Sequence, residues 1–163
     1  MKLSELLGKD DFLLGVPSRE KRSALEAVAS RLGRRTGRPQ GEIVNALLRR
    51  ERLGSTATGG GLAMPHAAFA GISVPAAVIA TMKHPVAFDA PDDGDVDLLL
   101  GLLWPSAVGG FLLTLSQYSR LLRRPGYREC LRQAVSPAKA WAGIEALERE
   151  SGQSQAMFPL PAR

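Results

Sequence analysis

The chain has 163 residues, of which 45% are hydrophobic and 23% charged, and its formal net charge is +5. This length and composition predict a single globular domain with its own core and exclude a globally disordered chain. The longest strongly apolar run, 98–104, is far shorter than the ~20 residues of a membrane-spanning helix, and the first residues lack the apolar segment of a signal peptide. We therefore expect a cytoplasmic protein with no membrane partner.

The cysteine and charge content narrow the kinds of site that the chain can form. Cys130 is the one cysteine, which excludes an intrachain disulfide, and no cysteine cluster or pair of histidine ligands occurs. We expect neither a metal site nor a cofactor. The arginines occur in several groups, which suits an acidic partner, a phosphate group or nucleic acid. Nucleic-acid binding rests on charge alone, because no nucleic-acid-binding motif accompanies these groups.

The first part of the chain predicts two helices. The first begins after Ser18, its expected N-cap, and its apolar residues recur at helical spacing until it ends near Thr36. The second covers roughly 40–51, after Pro39, and places Arg50 in its last turn, where a cation complements the helix dipole. Each helix has its apolar residues on one stripe.

The middle of the chain changes to apolar runs of strand length. These runs lack helical periodicity and are bounded by glycine, proline or aspartate. The continuous apolar character of the last one is typical of a strand that is buried on both faces. The predicted strands are 62–64, 74–82, 86–88 and 97–104.

Helical spacing returns at the C-terminal end of the chain. The predicted helices are 111–124, 127–134 and 137–150, the last one capped by Ser136 with proline at its first position. The segment 151–163, rich in Ser, Gln and Pro, is expected to be a loose tail. Helices at both ends with strands between them predict one layered α/β domain over residues 1–150.

The segment 53–69, LGSTATGGGLAMPHAAF, holds the strongest chemical signal. His66 directly follows a proline that fixes the backbone, and a neutral imidazole is a nucleophile near pH 7, so His66 is a candidate phosphoryl acceptor. Phosphoryl transfer needs alignment and positive charge around the transferred oxygens. Arg50 is the candidate for that charge. Further donors are the hydroxyls of Ser55, Thr56 and Thr58 and the backbone N–H groups of Gly59, Gly60 and Gly61.

The residue types alone leave open the alternative that His66 is a structural histidine in a loop. A resemblance over longer stretches of the sequence favours the phosphoryl acceptor. The stretch RRERLGSTATGGGLAMPHA resembles the phosphorylation-site segment of the enzyme IIA domains of the bacterial phosphotransferase system, in the fructose, mannitol and nitrogen-regulatory class. PVAFDAPDDGDVDLLLGLLWP and TLSQYSRLL resemble two further motifs of that family, in the expected order.

The resemblance implies a mixed β-sheet packed between helices. It also implies that His66 accepts a phosphoryl group from the phosphocarrier protein HPr or its nitrogen-branch relative, with Arg50 beside it. The nitrogen-regulatory subclass is the expected one, because no transport domain is attached. Proteins of that subclass regulate partners according to their phosphorylation state. The identity of the regulated partner is unknown.

The sequence departs from the family pattern near the predicted site. The family usually has a second histidine in the helix after the buried strand, as in H-L-x-x-L-S, and here that segment is FLLTLS, with Phe111 or Leu113 near the place of the histidine. The glycine expected after the active histidine is Ala67. These departures leave an alternative function open, a non-catalytic regulatory binding module on the same fold.

Overall fold

The computed structural model describes the backbone of residues 1–156 and the side chains of residues 1–151. The helices are α1 (Leu3–Leu6), α2 (Lys21–Thr36), α3 (Gln40–Arg52), α4 (Phe111–Leu122), α5 (Pro125–Arg132) and α6 (Pro137–Ala156). The strands are β1 (Phe12–Val16), β2 (Ala57–Gly59), β3 (Leu62–Ala63), β4 (His66–Phe69), β5 (Ala76–Val86) and β6 (Val96–Pro105).

Strand β6 is the centre of a mixed sheet with the order β1-β5-β6-β3-β2. It pairs antiparallel with β5 on one side. On its other side it pairs in parallel with two short strands in succession, first β3 and then β4. The break between these two is at Pro65, whose carbonyl still accepts a hydrogen bond of 2.9 Å from the N–H of Leu102. This pairing fixes the backbone of His66 opposite Leu102.

Two hydrophobic cores lie on opposite faces of the sheet, because successive side chains of a strand point to opposite sides. Along β6, Leu99 and Leu103 pack with the apolar stripes of α2 and α3. Leu98, Leu100 and Leu102 pack with α1, α4, α5 and α6. The predicted fold class, a mixed sheet between helices, is therefore confirmed. No helix in the part of the chain described here is long and apolar enough to cross a membrane.

The structure corrects two predicted boundaries among the helices. Helix α2 begins at Lys21 with Glu20 as its extended N-cap, so the prediction of Ser18 as the N-cap is wrong. The apolar stripe of α2 starts only at Ala24, so a turn reaching back to Ser18 would bury no further apolar surface. Helix α6 extends six residues beyond the predicted end at 150, to Ala156. The rest of the predicted tail, 157–163, lies outside the described residues.

The strand predictions needed more correction than the helix predictions. Strand β5 begins two residues later than the predicted strand 74–82 and continues through Pro85 to Val86, with a shift of register between Thr81 and Val86. The prediction of a separate strand at 86–88 is wrong, since only Val86 belongs to a strand, the end of β5. Proline is tolerated at such an irregularity because the ladder there does not require its missing N–H. Elements α1, β1, β2 and β4 were not predicted. Ser136 is confirmed as a cap, since its Oγ accepts a hydrogen bond of 3.3 Å from the N–H of Lys139.

Candidate functional site

His66 is the first residue of β4 and one of the few buried polar residues, with 8% of its surface exposed. Its position follows from the pairing of β4 with β6, which leaves the backbone little freedom. The imidazole lines a cleft of about 300 Å³ that also includes residues of α3, the 55–58 segment and α4. The ring is therefore held rigidly at the wall of a cavity.

Two hydrogen bonds define the chemical state of the ring. Nδ1 lies 2.7 Å from the carbonyl oxygen of Met64, which can only accept, so Nδ1 carries the proton. Nε2 then carries no proton, and its lone pair accepts a hydrogen bond of 3.0 Å from Nε of Arg50. The nucleophilic atom of this site is therefore Nε2, and it is the atom beside the guanidinium.

Arg50 lies in the last turn of α3, and a second contact fixes its direction. One of its terminal nitrogens donates a hydrogen bond of 2.9 Å to the carbonyl of Gly54, just beyond the end of the helix. The guanidinium is thus anchored at one end and touches Nε2 of His66 with its Nε–H. Helix α3 packs on β4, so the two predicted catalytic residues are brought together by adjacent elements.

Burial lowers the pKa of His66 below its ordinary value of 6.5, because the charged imidazolium is poorly solvated in the cleft. The positive charge of Arg50 lowers the pKa further, while the hydrogen bond to Met64 and the negative charge of Glu51 oppose the shift. The neutral, nucleophilic form of the ring therefore persists to a lower pH than it does for a free histidine.

The three predicted hydroxyl residues all line the cleft, but each hydroxyl already has an acceptor. Ser55 donates to the carbonyl of Phe88, and Thr58 makes a long hydrogen bond of 3.4 Å to the carbonyl of Leu62. Thr56 donates its hydroxyl proton to Glu51 at 2.5 Å. Each hydroxyl would have to rotate to donate to a bound phosphoryl group, and Thr58 has the weakest bond to give up.

The structure does not bring the glycine turn into this cleft. Gly59, Gly60 and Gly61 all have positive φ and join β2 to β3 in a tight turn. The N–H of Gly60 donates to a carboxylate oxygen of Asp92 at 2.8 Å, and its carbonyl accepts hydrogen bonds from Arg128 and Arg132. The side chain of Asp92 thus already occupies one of the three backbone donors that the sequence offered for phosphate.

Sequence reasoning did not single out Glu51, which organises the loop that lines the cleft. Its buried carboxylate accepts hydrogen bonds from both the N–H and the hydroxyl of Thr56, at 3.0 and 2.5 Å. Lys21 forms an ion pair with the other carboxylate oxygen at 3.1 Å. One sequence feature could have indicated this role of Glu51. It is an acidic residue directly after Arg50, at the end of a predicted helix and before a polar loop.

Phe111 is the aromatic neighbour of the candidate acceptor. Its ring meets the His66 ring edge to face, with centroids 5.5 Å apart, and stacks on Trp104 at 5.7 Å. The structure thereby identifies Phe111 as the residue that packs on the active-site imidazole where the family pattern has a second histidine. The next two residues, Leu112 and Leu113, are 78% and 63% exposed, and Leu112 lines the cleft.

The family model described as "Phosphoenolpyruvate-dependent sugar phosphotransferase system, EIIA 2" matches residues 5–146. The chain is 35% identical over 136 residues to a nitrogen regulatory protein of Pseudomonas aeruginosa, covering 82% of this chain and 88% of that one. It is 31% identical over 148 residues to a nitrogen regulatory protein of Bradyrhizobium diazoefficiens, covering 90% and 96%.

Solved structures agree with these sequence matches. The nitrogen regulatory protein IIA-Ntr from Neisseria meningitidis superposes with a TM-score of 0.80 at 30% identity, covering 87% of this chain and 98% of that one. Mannitol IIA from Escherichia coli shares the fold, with a TM-score of 0.71 at 21% identity, covering 85% and 98%. The chain belongs to the enzyme IIA family of the phosphotransferase system. The predicted class, a phosphocarrier protein of the fructose, mannitol and nitrogen-regulatory type, is confirmed.

Proposed function

We propose that Nε2 of His66 accepts a phosphoryl group from the phosphohistidine of a small carrier protein, HPr or its nitrogen-branch relative. The observation that carries this proposal is the pair of hydrogen bonds that places the proton on Nδ1 and turns the lone pair of Nε2 toward Arg50. In the transfer, the P–N bond in the donor breaks as the bond from phosphorus to Nε2 forms. The proton on Nδ1 stays in place and continues to bind the carbonyl of Met64.

Arg50 has two roles in this mechanism. In the resting protein its positive charge adds to the larger effect of burial in lowering the pKa of His66, because a nearby positive charge disfavours protonation. When the phosphorylated donor arrives, the Nε–H of Arg50 leaves Nε2, which frees the lone pair to attack phosphorus. The guanidinium then hydrogen-bonds the incoming phosphoryl oxygens and neutralises part of their charge. Its second bond, to Gly54, holds it in position during the transfer.

The carrier would dock over the exposed apolar start of α4. Leu112 lines the cleft, and the exposed Leu113 follows it on α4. Exposed large apolar side chains beside a reactive residue are typical of a protein-binding surface. Arg120 and Arg123 on the same helix are exposed and supply positive charge at the rim of this surface. An apolar centre with a charged rim fits a protein donor better than it fits a free phosphorylated metabolite.

We propose that the phosphorylation state of His66 regulates a partner protein in the cytoplasm, as the names of the nitrogen-regulatory relatives suggest. A phosphoryl group at Nε2 would add about two negative charges at the mouth of the cleft and compete for Arg50. A partner that docks on α4 would therefore meet two different electrostatic surfaces. The identity of that partner stays open.

Phosphoryl transfer is tested by incubating the protein with phosphoenolpyruvate, enzyme I and the carrier. One acid-labile phosphoryl group per chain is expected in the wild type and none in His66→Gln. Both proteins should melt at similar temperatures, so that loss of labelling reports chemistry and not unfolding. An unlabelled, folded wild type would overturn the proposal.

The alternative is a non-catalytic binding module, and Phe111 is the observation that favours it. An apolar ring in contact with His66 offers the phosphoryl dianion no hydrogen bond. Affinity capture with the wild type and His66→Gln as baits separates the two functions. A partner that binds both equally, and is indifferent to treatment with the phosphorylating mixture, supports the binding module.

A further inference from the structure

A second cleft, of about 780 Å³, lies along a different face of α3 from the one that carries Arg50. One wall is the exposed face of α3. Glu42, Asn45, Arg49 and Arg52 line it, and their spacing of three, four and three residues places them on one stripe of the helix. The other wall is made by the ends of β4 and β6, where the side chains other than Phe69 are small, as in Ser106. These small side chains leave room for a ligand beside Phe69.

Positive charge dominates the lining of this cleft. Arg38 closes one end, and its guanidinium fits against Gly71, where a Cβ would lie only 3.2 Å from the guanidinium carbon. Arg38 also forms an ion pair of 3.1 Å with Glu42, whose carboxylate is the one negative group among the residues that line the cleft. Arg49 and Arg52 form no ion pair with any residue of the described part of the chain. Two guanidinium groups on adjacent turns are therefore available to an anion.

We infer that this cleft binds a small phosphorylated ligand whose body carries hydroxyl or amino groups, the chemistry shared by nucleotides and sugar phosphates. The arginines provide planar donor sets that match phosphate oxygens. The amide of Asn45 and the hydroxyl of Ser106 can bind the body of such a ligand. The volume lies within the range of small-molecule sites and exceeds the needs of a lone phosphate ion. This inference goes beyond the phosphoryl transfer proposed at His66.

The binding test uses isothermal titration calorimetry with adenosine diphosphate, a hexose phosphate and inorganic pyrophosphate as separate probes. An ionic strength of about 0.15 M limits non-specific attraction, since charges are then screened beyond about 8 Å. Saturable one-to-one binding of either organic phosphate is expected, tighter than that of pyrophosphate. The organic phosphate that binds more tightly identifies the source of the ligand.

Matched variants assign the binding to the cleft. Arg49→Gln and Arg52→Gln should each weaken binding about tenfold, since each removes a charge-assisted contact. Arg149→Gln is the control, because this exposed arginine on α6 lies on the other face of the sheet and loses the same charge. Equal weakening by Arg149→Gln, or no saturable binding of any probe, would overturn the inference. Pyrophosphate binding as tightly as both organic phosphates would also overturn it.

A variant in the first cleft distinguishes the ligand-binding proposal from the phosphoryl-transfer proposal. His66→Gln should bind the phosphorylated probe as the wild type does, because His66 does not line the second cleft. Failure of phosphoryl transfer would therefore leave this binding intact, and failure of binding would leave transfer intact. Strong loss of binding in His66→Gln would place the probe in the first cleft and refute the assignment.

Discussion

Replacement of Arg50 by Gln should impair phosphoryl transfer and raise the pKa of His66 at the same time. The variant loses the guanidinium that donates to Nε2 at 3.0 Å and would bind the incoming phosphoryl oxygens. A hydrogen bond between charged groups contributes about 1.5–3 kcal/mol, which corresponds to about 10- to 150-fold in rate. Because the Arg50 charge lowers the pKa of His66, its removal should let that pKa rise toward 6.5.

The assay combines rapid-quench measurement of phosphoryl transfer from the phosphorylated carrier with an NMR titration of the imidazole. Arg34→Gln is the matched control, since Arg34 is an exposed arginine in the last turn of α2 and loses the same charge. It should transfer at the wild-type rate with the wild-type pKa. The mechanism would be refuted if Arg50→Gln accepted phosphate as fast as the wild type. It would equally be refuted if Arg34→Gln were as slow as Arg50→Gln.

Four further outcomes follow from the same site. The rate at which His66 accepts phosphate should stay constant as pH falls through 6.5 and decline only near its lowered pKa, and a decline centred at 6.5 or above would contradict this. Because the pKa of His66 is lower in the folded chain than in the unfolded chain, folding is penalised when the pH falls below 6.5. The free energy of unfolding of the wild type, measured in urea, should therefore fall relative to that of His66→Gln between pH 6.5 and the lowered pKa. Phe111→His should raise the phosphorylated fraction about tenfold or more at a fixed donor ratio, because its N–H can bind the phosphoryl group, whereas Phe111→Leu should not. Glu51→Gln should cost about 2 kcal/mol of unfolding free energy through its bonds to Thr56 and Lys21, and an unchanged urea midpoint would count against this.

The helices were predictable because their signal is local. The apolar stripes of α2 and α3 recur at helical spacing, and the Ser136-Pro137 cap marks the start of α6. The short strands were not predictable for the opposite reason. Strand β4 has four residues with two alanines, and it is a strand only because β6 pairs with it from 36 residues further along the chain. Strand β1 is a half-exposed edge strand interrupted by Gly15, which carries little periodic signal.

The same distinction applies to the site. The resemblance supplied the pairing of His66 with Arg50, and the structure brings the two side chains into contact. The glycine turn looked like a phosphate cradle because its composition fits one. Its donor is used by Asp92, which lies 32 residues from Gly60 in sequence. No local sequence pattern predicts that contact. Composition alone therefore could not distinguish a phosphate-binding loop from a turn whose N–H is already bound by a side chain.

On the proposed mechanism, the contact between Phe111 and His66 affects the stability of the phosphorylated state more than it affects the rate of phosphorylation. Nucleophilicity depends on the proton at Nδ1, the lone pair at Nε2 and the Arg50 charge, and Phe111 touches none of these hydrogen bonds. The product, by contrast, is a dianion beside an apolar ring, without the donor that a histidine would supply. If that donor is worth about 1.5–3 kcal/mol, its absence lowers the phosphorylation equilibrium about 10- to 150-fold. On the proposed mechanism we therefore expect the protein to stay largely unphosphorylated until most of the donor carries phosphate. That behaviour would suit a sensor of phosphoryl supply better than an intermediate that must remain loaded for onward transfer.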